Sequence, residues 1–265
     1  MCIGVVVVET VEISQKGDVV KTLNSKDIDW SIYALKYDLM CDFIPAYQEN
    51  ISLLLDHLSN WELPNDPSIC DLGAGTGNFI TAIAKTFPDA HFTHVDSDPA
   101  MSSFARIKYQ RNSVNNVEIL NAQVLDLDLG DSTFDVIILI NALYAMNPQR
   151  KVLEKIKRWL KPNGKLFIID WGRENKVFDW TWYVAKNAVR NHGIAKTISA
   201  FIEGAEVIRQ NRLGKKGHKS GSFWRHTTQE FKQTLEEAGF FVEHLDVCYR
   251  GYSDLAVCHI DTGRR

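Results

Sequence analysis

The sequence predicts an α/β protein built on a doubly wound, mostly parallel sheet, and three observations carry that reading. Short apolar runs of strand length alternate with segments of helical spacing between about residues 68 and 170. The first run, "SICDL", opens directly onto "GAGTGNF", which places glycines at 73, 75 and 77. The chain has 265 residues with 45% hydrophobic content, enough for one sizeable core. Parallel neighbours can be joined only through a crossover, so this alternation puts helices on both faces of the sheet.

Residues 1–64 read as an N-terminal tail and lid helices. "MCIGVVVVET" looks β-rich, and "DIDWSIYALKYDLMCDFIPAYQENISLLLDHLSNW" carries helically spaced apolar residues interrupted at Pro45, which predicts two helices. The core, 65–170, follows as strand "SICDL", helix "NFITAIAKTF", strand "HFTHVDS" and a helix from about Pro99. It continues as strands "VEILNA" and "FDVIILIN", helix "QRKVLEKIKRWLK", the turn "PNG" and strand "KLFIID". Residues 171–225 break the rhythm with a long, largely helical segment, an insertion or cap. In 226–265, "TTQEFKQTLEEAGF" is a helix with a glycine stop, and "FVEHLDV" and "SDLAVCHI" are strands. With no internal repeat, the whole reads as one domain.

A net charge of -3 and a pI near 6.2 give no global pull toward phosphate backbones or anionic membranes, so such a partner needs a local patch. The five cysteines are odd in number, lack a C-x-x-C pair and fall partly in apolar runs, which fits a reducing cytoplasm. The opening stretch is too short for a spanning helix, has no basic leader, and carries Cys2 where myristoylation needs glycine. A cytoplasmic chain without a membrane anchor is expected, as monomer or homodimer.

In a doubly wound sheet the loop after the first strand runs closest to the ligand, and Gly73, Gly75 and Gly77 let backbone turn tightly there. A dinucleotide fingerprint would need glycine at 78, where this chain has Asn78. Asp71 ahead of the loop would repel a phosphate and attract an ammonium or sulfonium. Asp96 ends the second strand in "HVDSD", where a carboxylate can accept both hydroxyls of a ribose.

The set "DLGAGTGN", "HVDSD", "FDVIILINALY" and "LKPNGKLFIID" resembles the class I S-adenosylmethionine-dependent methyltransferases, strongly over 30–170 and weakly in the final strands. The resemblance implies a Rossmann-like, seven-stranded sheet with its last strand antiparallel, and S-adenosylmethionine over residues 73–77. It implies that Asp71, Gly73, Ala74, Gly75 and Gly77 meet the methionine end, Asp96 the ribose, and Ser97 and Met101 the adenine. Gln123 stands where many relatives have an acid; with Val124 it would contact adenine, its carbonyl accepting the amino group. Asn141 would face the methionine carboxylate or amine, or cap the following helix.

Methyl transfer from a sulfonium is an in-line displacement, so a shaped, dry pocket matters more than a fixed triad, and a general base is optional. Three regions could build that pocket. Tyr33 and Tyr37 lie four apart on one helix, which the family folds over the cofactor; core packing explains the same spacing. Tyr144 follows the fourth strand where many relatives have histidine. In the insertion, Trp171, Phe178, Trp180, Trp182 and Tyr183 would line a cap over an apolar or aromatic acceptor, or fill a core. The run with Arg209, Arg212, Lys215, Lys216, Lys219 and Arg225 reads as a solvated loop or a contact for an anionic substrate or lipid headgroup. His226 is a candidate base or a residue of the helix start.

The expected reaction is methylation of an O, N or C atom of a small metabolite. Nucleic acid is the alternative acceptor, but "NALY" lacks both prolines of the N-P-P-Y clamp and no broadly basic domain is visible. Binding without turnover, or sulfonium chemistry other than methylation, are further alternatives. No metal is expected: Asp170 and Glu174 lack a paired Asp and Asn, and no His or Cys cluster has zinc spacing.

Overall fold

The computed structural model describes Asp38, Cys41 and residues 44–174, 176–203 and 223–261. The expectations for the N-terminal tail, for Tyr33 and Tyr37, and for the basic run from Arg209 to Lys219 lie outside these residues.

The chain runs α1 (Pro45–Asn60), β1 (Ser68–Leu72), α2 (Asn78–Thr86), β2 (His91–Asp96), α3 (Pro99–Arg111), β3 (Val117–Asn121), β4 (Phe134–Ile140) and α4 (Gln149–Trp159). It continues through β5 (Leu160–Trp171), α5 (Val177–His192), α6 (Ile194–Glu203), α7 (Thr228–Glu237), β6 (Phe240–Cys248) and β7 (Ser253–Ile260). The strands form one seven-stranded sheet in the order β3-β2-β1-β4-β5-β7-β6. β1 to β5 pair in parallel, and β7 runs antiparallel to both β5 and β6, so the expected antiparallel final strand is present. The turn expected at "PNG" is absorbed into β5, where Leu160 pairs with Phe134 and Lys165 with Val136 across a register shift.

Both faces are covered, and the strands divide their side chains between two cores with a period of two. Ile137 and Leu139 of β4, and Leu166 and Ile168 of β5, point to one core with Leu153, Trp159 and Phe231 from α4 and α7. Val136, Ile138, Phe167 and Ile169 point to the other, filled by Leu54, Leu58, Ile80, Ile83 and Tyr109 from α1, α2 and α3. This two-sided burial is why these strands read as unbroken apolar runs.

Helix ends are set locally. Asp98 caps α3 by accepting from the Ala100 and Met101 amides, with Pro99 at the first helical position. Thr227 and Glu230 form a capping box on α7, which ends at Gly239 with φ +89°. Order is reversed between β1 and β4: from β1 the chain winds to β2 and β3 on one side, then returns to β4 on the other. The crevice beyond their carboxyl ends is the ligand position of a doubly wound sheet.

Candidate active site

The loop joining β1 to α2 occupies that crevice. Gly73, Gly75 and Gly77 all adopt left-handed φ, +74°, +56° and +77°. A β-carbon at Gly73 would strike Cβ of Ala142 in the loop after β4, and one at Gly77 would strike the Tyr109 hydroxyl. Around Gly75 no atom of the described residues lies within 4 Å of that position. The loop is thus packed at its ends and open at its middle, as backbone approached by a ligand must be. Gly73→Ala and Gly77→Ala are each expected to cost about 1–3 kcal/mol of stability through strain and overpacking. Gly75→Ala meets only the left-handed strain of about 1–2 kcal/mol, and its larger effect is expected on ligand affinity. Urea unfolding of the three variants with and without ligand separates the two effects.

Asp71 sits near the end of β1 at 1% exposure, and its Oδ2 lacks a hydrogen-bond partner among the described residues. Burial, with the Asp96 charge adding to it, pushes the Asp71 pKa well above the usual carboxylate range. Asp96 is half-buried at the end of β2, where its Oδ2 accepts the Gly75 amide and its Oδ1 the Asp98 amide, both at 2.8 Å. Burial raises its pKa too, opposed by those two backbone bonds. Each carboxylate oxygen keeps acceptor capacity for a further donor.

The neighbouring positions follow from strand order. Ser97 is exposed beside Asp96, Met101 is buried on the first turn of α3, and β3 pairs Asn121 with Asp96. Gln123 is exposed just past β3, and Val124 beside it is buried. The Asn121 amide donates to the Asp96 carbonyl at 2.8 Å, a brace that sequence reading did not single out.

A second unanticipated feature ties the glycine loop to the segment before α1. Lys108 of α3 pairs with Asp38 at 2.7 Å and donates to the Asn78 side chain, while the Thr76 hydroxyl donates to Asp38 at 2.6 Å. The Asn78 amide donates in turn to Asp38 and to the Tyr47 hydroxyl.

At the tip of β4, Asn141 has φ +51°, its amide donates to the Ile169 carbonyl, and its Oδ1 accepts from Ser253 of β7 at 3.0 Å. The Tyr144 amide donates to Asp170 Oδ1 at 3.1 Å, and its ring meets Phe223 edge-on. Burial, with the Asp170 charge adding, pushes the Tyr144 hydroxyl pKa up.

His226 lies on the far side of β5 from the glycine loop. Its side chain is fully buried, with Nε2 3.3 Å from Asp170 of β5 and Nδ1 3.3 Å from Asp254 of β7. Phe231 stacks on its ring at 4.9 Å. Arg173 grips both oxygens of Asp254 and also donates to Thr228. Burial opposes charge on the imidazole, yet the bonds and charges of Asp170 and Asp254 outweigh it and raise its pKa. Burial likewise raises Asp170, against the pull of His226. For Asp254, burial acts upward but His226, Arg173 and Thr228 bring it below the ordinary value. The signal for this cluster was present in sequence as single acids in otherwise apolar strands, "IID" and "SDLAV".

The aromatic residues of the insertion divide. Trp171, Trp180 and Tyr183 pack with Tyr249 and Tyr252, whereas Phe178 and Trp182 face solvent. A groove of about 830 Å³ opens beside this cluster, lined among others by Arg173, Lys176, Arg225, Thr227, Arg250 and Tyr252.

A family model described as a methyltransferase domain matches residues 65–239. The chain belongs to the class I S-adenosylmethionine-dependent methyltransferases. Among methyltransferases it is 28% identical over 211 residues to the demethylmenaquinone methyltransferase of Listeria monocytogenes, covering 77% of this chain and 82% of that protein. It is 24% identical over 151 residues to the (S)-coclaurine N-methyltransferase of Thalictrum flavum subsp. glaucum, covering 57% of this chain and 40% of that protein. The chain spans about half the length of the first curated relatives it matches, between 40% and 58%. A solved S-adenosylmethionine-dependent methyltransferase from Aquifex aeolicus shares the fold, with TM-score 0.59 and 20% identity over 88% of this chain and 100% of that one.

The methyl donor of this methyltransferase family is S-adenosylmethionine, and the residues present fit it. Asp71 is a buried acid with a partnerless oxygen, suited to a cation; Gly75 leaves an open face; Asp96 keeps acceptor capacity for hydroxyls.

Proposed function

We propose that this chain transfers the methyl group of S-adenosylmethionine to an O, N or C atom of a small, apolar or aromatic metabolite. The observation that carries the reading is Asp71, a buried acid with no counter-ion among the described residues, at the strand end that leads into the glycine loop. Relatives named for coclaurine and demethylmenaquinone support a small-molecule acceptor. S-adenosylmethionine supplies a methyl group on a sulfonium centre; the chain has to bind, orient and exclude water.

In this reading the loop backbone and Asp71 hold the methionine end, Asp96 the ribose hydroxyls, and Ser97, Met101, Gln123 and Val124 surround the adenine. The Asn141 carbonyl oxygen is engaged by Ser253, so its amide N–H groups serve the methionine carboxylate. The Tyr144 hydroxyl, with its pKa raised, stays protonated at neutral pH and orients the acceptor as a hydrogen-bond donor. His226, enclosed by two carboxylates, acts as a positioning residue that fixes the ends of β5 and β7 beside the groove lined by Arg173 and Arg225.

Titration calorimetry with S-adenosylmethionine and its demethylated product, followed by radiolabel transfer into a metabolite extract against RNA, tests the reading. A bound cation favours ionised Asp71, so affinity is expected to rise as pH rises through its elevated pKa. Asp71→Asn is expected to flatten that dependence and weaken binding about tenfold or more. The same raised pKa means that ionising Asp71 costs the free chain stability as pH climbs above the ordinary carboxylate range. Asp71→Asn therefore raises the Tm of the free chain, by about 2–4 °C for each kcal/mol relieved. Absence of heat with either compound would overturn the assignment. Heat without label transfer to any extract would leave a binding protein.

A further inference from the structure

The α5–α6 hairpin presents large apolar residues that stand exposed among the described residues. α5 turns Trp180, Val184 and Ala188 inward, while Phe178, Trp182 and Val189 stand 86%, 66% and 41% exposed. α6 packs on α5 with Thr197 buried, and leaves Ile194, Ile198 and Ile202 at 67%, 56% and 72%. Spacings of four and seven residues align each set along one side of its helix. Single exposed apolar residues are ordinary on a protein surface, but two helical stripes that include Trp and Phe mark an interaction surface.

Charge identifies the partner. Lys186, Arg190 and Lys196 are exposed on the same two helices and have no ion pair among the described residues. Between residues 176 and 225 the sequence holds 10 lysines and arginines against 3 acids, whereas the other 215 residues hold 20 against 30. The apolar stripes therefore lie in a segment with a net excess of basic residues, while the remainder of the chain is net acidic. A two-fold contact between copies would set this basic face against itself, which charge disfavours.

We propose that the α5–α6 hairpin docks on an anionic lipid surface. Phe178, Trp182 and the three isoleucines enter the headgroup boundary, and Lys186 and Arg190, one and two turns on from Trp182 along α5, meet lipid phosphates. Apolar side chains flanked by lysine and arginine are the pattern of helices that lie in a membrane interface. The docking is peripheral, since no helix among the described residues is long and apolar enough to cross a membrane.

Co-sedimentation of the full chain with phosphatidylcholine vesicles, with or without a quarter phosphatidylglycerol, tests this. Binding to the anionic vesicles is expected to be about tenfold stronger or more and to weaken with salt. Phe178→Ser with Trp182→Ser, and separately Lys186→Glu with Arg190→Glu, are each expected to reduce it about fivefold or more, at an unchanged Tm because all four side chains are exposed. Equal binding to both vesicles, no binding at low salt, or full binding by the serine variant would overturn the proposal. So would a dimer in light scattering that the serine variant converts to monomer while vesicles bind neither form.

Discussion

His226→Ala is expected to lower the unfolding free energy by about 3–5 kcal/mol, because it leaves the buried carboxylates of Asp170 and Asp254 facing an empty space. For a chain of this size that is a fall in Tm of roughly 6–20 °C, readable by scanning calorimetry. The pH dependence distinguishes lost charge from lost packing. Burial works against a charged His226, the two aspartates overcome it, and the folded-state pKa ends above that of the unfolded chain. A group of this kind contributes stability that is fully present below the unfolded imidazole pKa and is lost as pH rises through the folded value. The gap between wild type and variant is therefore expected to narrow from acid toward alkaline pH. A gap that stays constant would show that packing against Phe231, and not the imidazolium, is what the residue supplies.

Asp96→Ala carries the largest expected effect on ligand binding. Two hydrogen bonds to a charged acceptor, each of about 1.5–3 kcal/mol, amount to a loss of S-adenosylmethionine affinity of about a hundredfold or more. The variant also releases the Gly75 amide, so the open face of the loop loses its orientation along with its ribose partner. Loss of the Gly75 and Asp98 backbone bonds is also expected to lower the Tm of the free chain by a few degrees, so affinity is measured well below that transition. Asp96→Asn retains an acceptor oxygen and should fall between the two in calorimetry. Wild-type affinity in Asp96→Ala would place the nucleoside elsewhere.

The central strands β4 and β7 were legible in the sequence because a strand covered on both faces reads as a near-continuous apolar run. The edge strands β3 and β6, only partly buried, were legible instead as short apolar-polar mixtures between turn signals. The glycine loop was legible for a related reason: three left-handed residues in a row of alternate positions admit few side chains. What stayed hidden depends on contacts between distant parts of the chain. Asp170 and Asp254 are paired across β5 and β7, and only that antiparallel register brings them to His226. Read alone, Asp170 ends a strand and His226 precedes a helix. The aromatic residues of the insertion were ambiguous between core and cap, and helical phase divides them into an inward set around Trp180 and an outward set with Trp182. The β5 irregularity was missed because "PNG" has turn composition whether or not pairing continues through it.

Lys108 joins residues that the chain separates widely: Asp38 ahead of α1 and the side chains of Thr76 and Asn78 at the start of α2. A shortened protein starting at the edge of the matched family region would keep the three glycines of the loop yet lose the anion that neutralises this ammonium. The stranded cation would then sit beside Thr76 and Asn78, next to the loop proposed to hold the sulfonium. Asp38 would in this sense belong to the electrostatics of the proposed site, and a domain trimmed to exclude it would carry a different charge beside the glycine loop.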